Sequence, residues 1–340
     1  MRAVLPPRCA WSKRRRPTKV VWKRESRCLT HRLFFFVMSS KPYWVLALSL
    51  LGIAFAGPLV RLSAADPVAI AVWRLAFSLV VVGALLIATG EWRDWRRVKR
   101  EELLLAALAG VSLALHFWTW NASIHLTTIA ASVTLVSLQP AVVAAISAIS
   151  LREAPSRRQV LGIAVAIAGA FIIAAPDLRG GLAPSGNRPL LGNLLAMSAA
   201  VTAAIYYTVG RRLRRSLGIW AYVGMVYFVA FLSLIAIGLT RGVVIAPQPP
   251  RELAIFAALA IGPMLVGHTG MNWALKYLPA YVVNLTVLGE PVGATLLGAL
   301  IPSIRQIPTV NTLVGGAIVL GGVLVAAAGT STKAPRMPDR

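Results

Sequence analysis

Long apolar runs, each closed by charge, a proline or a turn, follow one another from Tyr43 to Ala328. About 20 mostly apolar helical residues cross the hydrocarbon core of a bilayer. Ten segments qualify: Tyr43–Leu62, Pro67–Thr89, Leu103–Asn121, Thr127–Leu151, Val160–Ala175, Leu190–Val209, Leu217–Leu239, Leu253–Leu275, Ala280–Ile301 and Thr312–Ala328. Their links are short. The longest, Pro176–Pro189, is polar and rich in glycine and proline, and it divides the runs into two sets of five. Without water, only helices or closed barrels satisfy every backbone group, and these runs are too long and continuously apolar for barrel strands. The pattern predicts an all-α integral membrane protein of ten transmembrane helices. Residues 42–176 form the first five-helix unit and 190–329 the second, between a basic extension (1–41) and a cytoplasmic tail (330–340).

Charge sharpens this picture. Only 14% of residues are charged, against about 25% in a soluble domain. The formal net charge of +24 suggests nucleic acid at first sight, but twelve of the 35 Lys and Arg precede Pro42 and most others sit between apolar runs. A basic surface serving a membrane accounts for that distribution better than a nucleic-acid partner. Leaving the extension aside, a cytoplasmic N-terminus puts sixteen basic residues on the inner side, among them Arg93, Arg96, Arg97, Lys99, Arg100, Arg211, Arg212, Arg214 and Arg215. Six fall outside: Arg61, Arg179, Arg188, Arg241, Arg251 and Arg305. The positive-inside rule therefore sets both termini in the cytoplasm. Met1–Val37 carries eleven Lys and Arg against one acid. It reads as a polybasic surface segment, an Arg-rich presequence, or a disordered stretch upstream of a start at Met38, which we favour. Cys9 and Cys28 both lie in this extension, so no disulfide framework or metal cluster is legible.

The two sets of five repeat each other. Asn121 precedes Pro140 by nineteen residues, and Asn272 precedes Pro291 by nineteen. Aligned on the prolines, Gln139 matches Glu290, Val136 matches Val287, and Gly162 and Gly169 match Gly315 and Gly322 after a two-residue insertion. An odd number of helices per copy inserts the second copy upside down, the architecture of alternating access with a site between the halves. The stretch VTLVSLQPAVVAAISAISLREAPSRRQVLGIAVAIAGA (Val133–Ala170), with Gln139, Pro140, Glu153, Gly162 and Gly169, resembles the first-half signature of the EamA-like families of the drug/metabolite transporter superfamily. NWALKYLPAYVVNLTVLGEPVGATLLGAL supplies the second-half counterpart through Asn272, Lys276, Pro279, Glu290 and Pro291. The resemblance covers about Pro42–Ala328 and departs where Pro302–Gln306 offers no acidic partner for Glu153. It implies a secondary transporter, often an exporter, of amino acids, metabolites or toxic organic compounds across the plasma (inner) membrane. It implies a small-molecule substrate and no cofactor, and leaves proton coupling and a homodimer open.

Ionisable groups within apolar runs mark functional sites by default. Glu290 lies about ten residues from either end of the ninth span, near mid-membrane at 1.5 Å per residue. Pro291 and, in the first half, Pro140 predict kinks, because proline lacks an N–H and frees a carbonyl one turn back. A carboxyl there suits a proton carrier or a partner for a cationic group; the plainer reading is an acid bonded to a neighbouring helix. Arg74 lies roughly 10 Å from the outer end of the second span, a distance its long side chain covers in part, which favours a snorkelling anchor over substrate binding. His116 and Trp120 share a face of the third span, near Asn121, and His268 and Asn272 share one of the eighth. The paired asparagines suggest hydrogen bonds across helices. The histidines fit buried or cavity-lining roles. Gln139, Asn284 and Thr286 complete the candidates for a substrate or proton site. Tyr206 and Tyr207 read as interfacial belt residues. Gly162, Ala166, Gly169, Gly315 and Gly322 read as small faces for close helix packing.

Two other classes stay in view: an integral-membrane enzyme on a lipid-like substrate, and a channel or sensor. The first needs paired carboxylates or a metal cluster near a membrane face, whereas most acids here lie scattered beside Arg in the loops. No Gly-rich loop with Lys-Ser/Thr marks an ATP-driven pump.

Overall fold

The computed structural model describes residues 41–150, 156–178, 188–278 and 280–328. Met38 and the basic extension, Glu153, Pro279, residues 179–187 of the central link and the 330–340 tail lie outside them. The chain divides into two units, Met1–Trp44 and Val45–Arg340. Residues 41–44 of the first are helical, and the second carries the helix bundle.

The described residues contain no strand. The helices are α1 (Lys41–Leu62), α2 (Pro67–Thr89), α3 (Arg100–Leu126), α4 (Ile129–Val136), α5 (Gln139–Ser150), α6 (Arg157–Leu178), α7 (Pro189–Leu213), α8 (Ile219–Thr240), α9 (Pro250–Ala274), α10 (Ala280–Leu285), α11 (Glu290–Leu300) and α12 (Val310–Ala328). Six of them, α1, α2, α3, α7, α8 and α9, are long and apolar enough to cross a membrane, and the shorter apolar stretches Ile129–Val143, Val160–Ile173, Thr286–Leu300 and Val310–Val325 accompany them. Val80, Ile87 and Leu239 each stand 72% exposed on these helices. Water penalises such surface by about 25 cal/mol per Å²; hydrocarbon does not.

Local sequence sets the breaks. Asp66 accepts the Val68 N–H at 2.8 Å and Pro67 opens α2, which closes at Gly90 with φ of 71°. The fourth and ninth runs are not continuous helices, as the sequence pattern had them. One breaks between α4 and α5, and the other passes through a 3₁₀ segment, Thr286–Gly289, before restarting at Glu290. Pro140 and Pro291 are the second residues of α5 and α11, where a missing N–H costs nothing. In α9, Pro263 sits within a π-helical stretch, Ala260–His268, a widened turn that absorbs the lost bond.

The most extensive helix pairing is α6 with α12. A Cβ on Gly169 would fall 2.7 Å from the Gly315 carbonyl oxygen, and one on Gly315 would fall 2.7 Å from that of Gly169. The small faces do meet. Elsewhere α3 packs on α7 and α8, α2 on α8 and α9, and α11 on α4 and α1. The α1 and α9 backbones also come close, since a Cβ on Gly52 would lie 2.8 Å from the Gly262 carbonyl oxygen. One apolar cluster centres on α2, α3, α7, α8 and α9. A second joins α4, α6, α11 and α12 with parts of α1, α3 and α7.

Helix ends are closed by charge. Arg61 donates to the Thr127 carbonyl after α3, and Arg211 to the Leu275 carbonyl after α9. Arg214 adds a 3.1 Å bond from Nε to the Asn272 carbonyl. Glu91 accepts the Trp220 and Ala221 N–H groups at 2.7 and 3.1 Å, capping the start of α8.

Candidate functional site

A cavity of about 20 Å³ lies where the two apolar clusters meet. Arg74 enters from α2, His116 and Trp120 from α3, Tyr207 from α7 and His268 from the π segment of α9. Gln139 and Glu290, the first residues of α5 and α11, complete its polar lining, and Ile53, Ala56, Val136 and Val287 its apolar wall. The helix breaks thus place both repeat-related polar residues at the centre, each at a helix N-terminus.

Arg74 departs from the anchor expected of it. It shares the buried face of α2 with Ala71, Leu75 and Ser78, and only 1% of it is exposed. Its guanidinium lies 4.2 Å over the Phe117 ring, so the chain turns inward onto α3 rather than out to the membrane surface. Nε, Nη1 and Nη2 find no hydrogen-bond acceptor among the described residues. Although Glu290 lines the same cavity, the two form no ion pair.

The histidines meet although no repeat relates them. Their ring centroids are 6.0 Å apart and edge-on, and His116 stacks near-parallel on Trp120 at 6.4 Å. His116 Nδ1 lies 3.0 Å from the Ala199 carbonyl; a carbonyl only accepts, so Nδ1 carries a proton. His268 Nδ1 is 3.1 Å from the Tyr207 hydroxyl. Tyr206 and Tyr207 are buried, not belt residues, because their face of α7 turns to α9. Small neighbours at Ala199, Ala200, Ala203 and Ala204, all buried, are the signal that marks this inward face.

The other candidates stand back from the cavity. Asn121 donates to the Pro67 carbonyl at 3.1 Å. Asn272 donates to the Tyr206 hydroxyl and to the His268 carbonyl. Both asparagines therefore bond across helices. Asn284 accepts from Gln139 and donates to the Ala280 carbonyl at 2.7 Å, tying α10 to α5. Thr286, half-buried in the 3₁₀ segment, does not line the cavity.

Comparison with known proteins gives a consistent picture. The model of the EamA-like transporter family matches residues 40–175 and 190–328. An uncharacterized transporter of Archaeoglobus fulgidus is 25% identical over 294 residues, covering 84% of this chain and 98% of that protein. A probable terminal-alkyne amino-acid exporter of Streptantibioticus cattleyicolor is 27% identical over 297 residues, covering 84% and 93%. A crystal structure of another protein shares the fold with a TM-score of 0.58 at 20% identity, over 84% of this chain and 97% of that one.

Proposed function

The chain belongs to the EamA-like transporter family, and on that premise we propose that it is a secondary transporter exporting small metabolites, amino acids or toxic organic compounds across the plasma membrane. Its ten spans, the fourth broken into α4 and α5 and the ninth into α10 and α11, form two inverted five-helix repeats, with both termini cytoplasmic and the 176–189 link outside. Repeat-related contacts support this: α3 with α7 answers α9 with α1, and α3 with α8 answers α9 with α2. Arg61 at the end of α1 and Arg211 near the end of α7 likewise close α3 and α9. Discontinuous helices that begin at a central polar cavity are the usual construction of a transport site.

The observation that carries the reading is Glu290, 4% exposed, at the head of a broken helix and in one cavity with Arg74, His116 and His268. A titratable acid there can exchange a proton for a cationic group as the cavity opens to each side in turn. The test compares metabolites released by cells that do and do not express the protein. A compound enriched outside expressing cells, at a rate that saturates with its internal concentration and falls when the ion gradient is collapsed, supports the reading. Equal profiles, or a linear rate indifferent to the gradient, contradict it.

A further inference from the structure

The proposal here rests on the transporter reading and narrows its substrate. We propose that Arg74 binds the carboxylate of the transported molecule, and that Arg74 and Glu290 together select small zwitterions bearing one carboxylate and one cationic amine. A guanidinium presents five N–H donors in a planar fork that matches a carboxylate bidentately. That of Arg74 is buried, steadied over Phe117, and without an acceptor for any of its nitrogens among the described residues. Buried donors in folded proteins are nearly all paired, so a guanidinium left open on a cavity wall is prepared for an acceptor that arrives from outside the chain.

Glu290 would be the obvious internal partner, yet the two line the cavity without forming an ion pair. A guanidinium and a titratable acid that line one cavity without pairing match a ligand that carries both a carboxylate and an amine. A bare cation leaves the guanidinium unanswered, and a bare carboxylate leaves the acid unanswered. The starts of α5 and α11 lie at the same cavity, and the positive end of the α11 dipole, at Glu290 itself, favours the carboxylate form of that acid. At about 20 Å³ the cavity has room for roughly one water molecule, so substrate binds when it widens. Departure of the amine frees Glu290 for a proton, which gives exchange of a net-neutral zwitterion for one proton and so moves one positive charge per cycle.

The test uses the full-length protein in vesicles with an imposed pH gradient, with protein-free vesicles as the blank. The vesicles are loaded with an equimolar mixture of monocarboxylic amino acids, quaternary amines lacking a carboxylate, and carboxylates lacking an amine. Mass spectrometry of the outer medium is expected to find amino acids alone. Arg74→Gln should lower their efflux at least tenfold, while Arg74→Lys keeps the maximal rate within a fewfold and raises the half-saturating concentration. If Arg74→Gln fails to fold, the class selectivity of the wild type and the Arg74→Lys profile still decide. Quaternary amines or amine-free carboxylates leaving as fast as amino acids would overturn the proposal and spare the transporter reading, as would an unchanged half-saturation in Arg74→Lys. Efflux of no class at all would sink both.

Discussion

The seam between α6 and α12 offers the sharpest structural prediction, because two glycine substitutions there should behave oppositely. A Cβ at Gly169 would lie 2.7 Å from both the Gly315 carbonyl oxygen and the Val319 backbone nitrogen, while ordinary contact begins at 3.4 Å. Both obstacles are backbone, so the helices themselves must separate by about 0.7 Å, a gap that forfeits a quarter to a half of each dispersion contact along the seam. Overpacking of this kind costs about 1–3 kcal/mol. Gly321 on α12 has nothing within 4 Å of its Cβ position. Alanine in place of glycine within a helix is worth up to about 1 kcal/mol at either site, and this gain cancels when the two variants are compared. Gly169→Ala should therefore be about 1–3 kcal/mol less stable than Gly321→Ala, read by denaturant titration of the protein in bicelles. Equal stability of the two variants would refute close backbone packing at this seam.

Two further outcomes concern the helix ends and the loops. Glu91→Ala removes the acceptor for the Trp220 and Ala221 N–H groups and should cost about 0.5–2 kcal/mol in the same titration, against little for Glu101→Ala on the exposed start of α3. A reporter fused after Pro335 should be active only in its cytoplasmic form, since sixteen basic residues face six across the membrane; activity confined to the external compartment would reverse the topology.

Much of this was legible in the residues. The apolar runs locate the long helices, because lipid demands continuous hydrophobicity and self-satisfied backbone. Gly162, Gly169, Gly315 and Gly322 declare the seam, because only small residues let helix backbones touch. The candidates Glu290, His268, His116, Trp120 and Gln139 do converge on one cavity. Depth along a helix was readable, but direction around it was not. Arg74 could reach the surface by length, and only the packing of α2 on α3 turns it inward over Phe117. Tyr206 and Tyr207 likewise depend on which face α7 presents to α9. The helix breaks were half visible: Pro140 and Pro291 announce a lost bond, but whether the chain kinks or restarts depends on what the freed groups meet.

The measurement closest to the centre of the account is gradient-driven efflux from vesicles containing Glu290→Gln or Glu290→Asp, beside equal amounts of monodisperse wild-type protein. Glutamine stands at the repeat-related position, Gln139, and hydrogen-bonds there to Asn284, so an amide is compatible with this architecture. If Glu290 serves only as a hydrogen-bonding group, the glutamine variant should transport normally. If it carries a proton or holds the cationic end of the substrate, Glu290→Gln should abolish gradient-driven efflux while folding and inserting as the wild type does. Glu290→Asp should then retain part of the rate, its carboxyl withdrawn by about one methylene. Loss in the glutamine variant with partial activity in the aspartate variant is the expected result. Wild-type rates in Glu290→Gln would contradict the account and leave Glu290 as a packing residue.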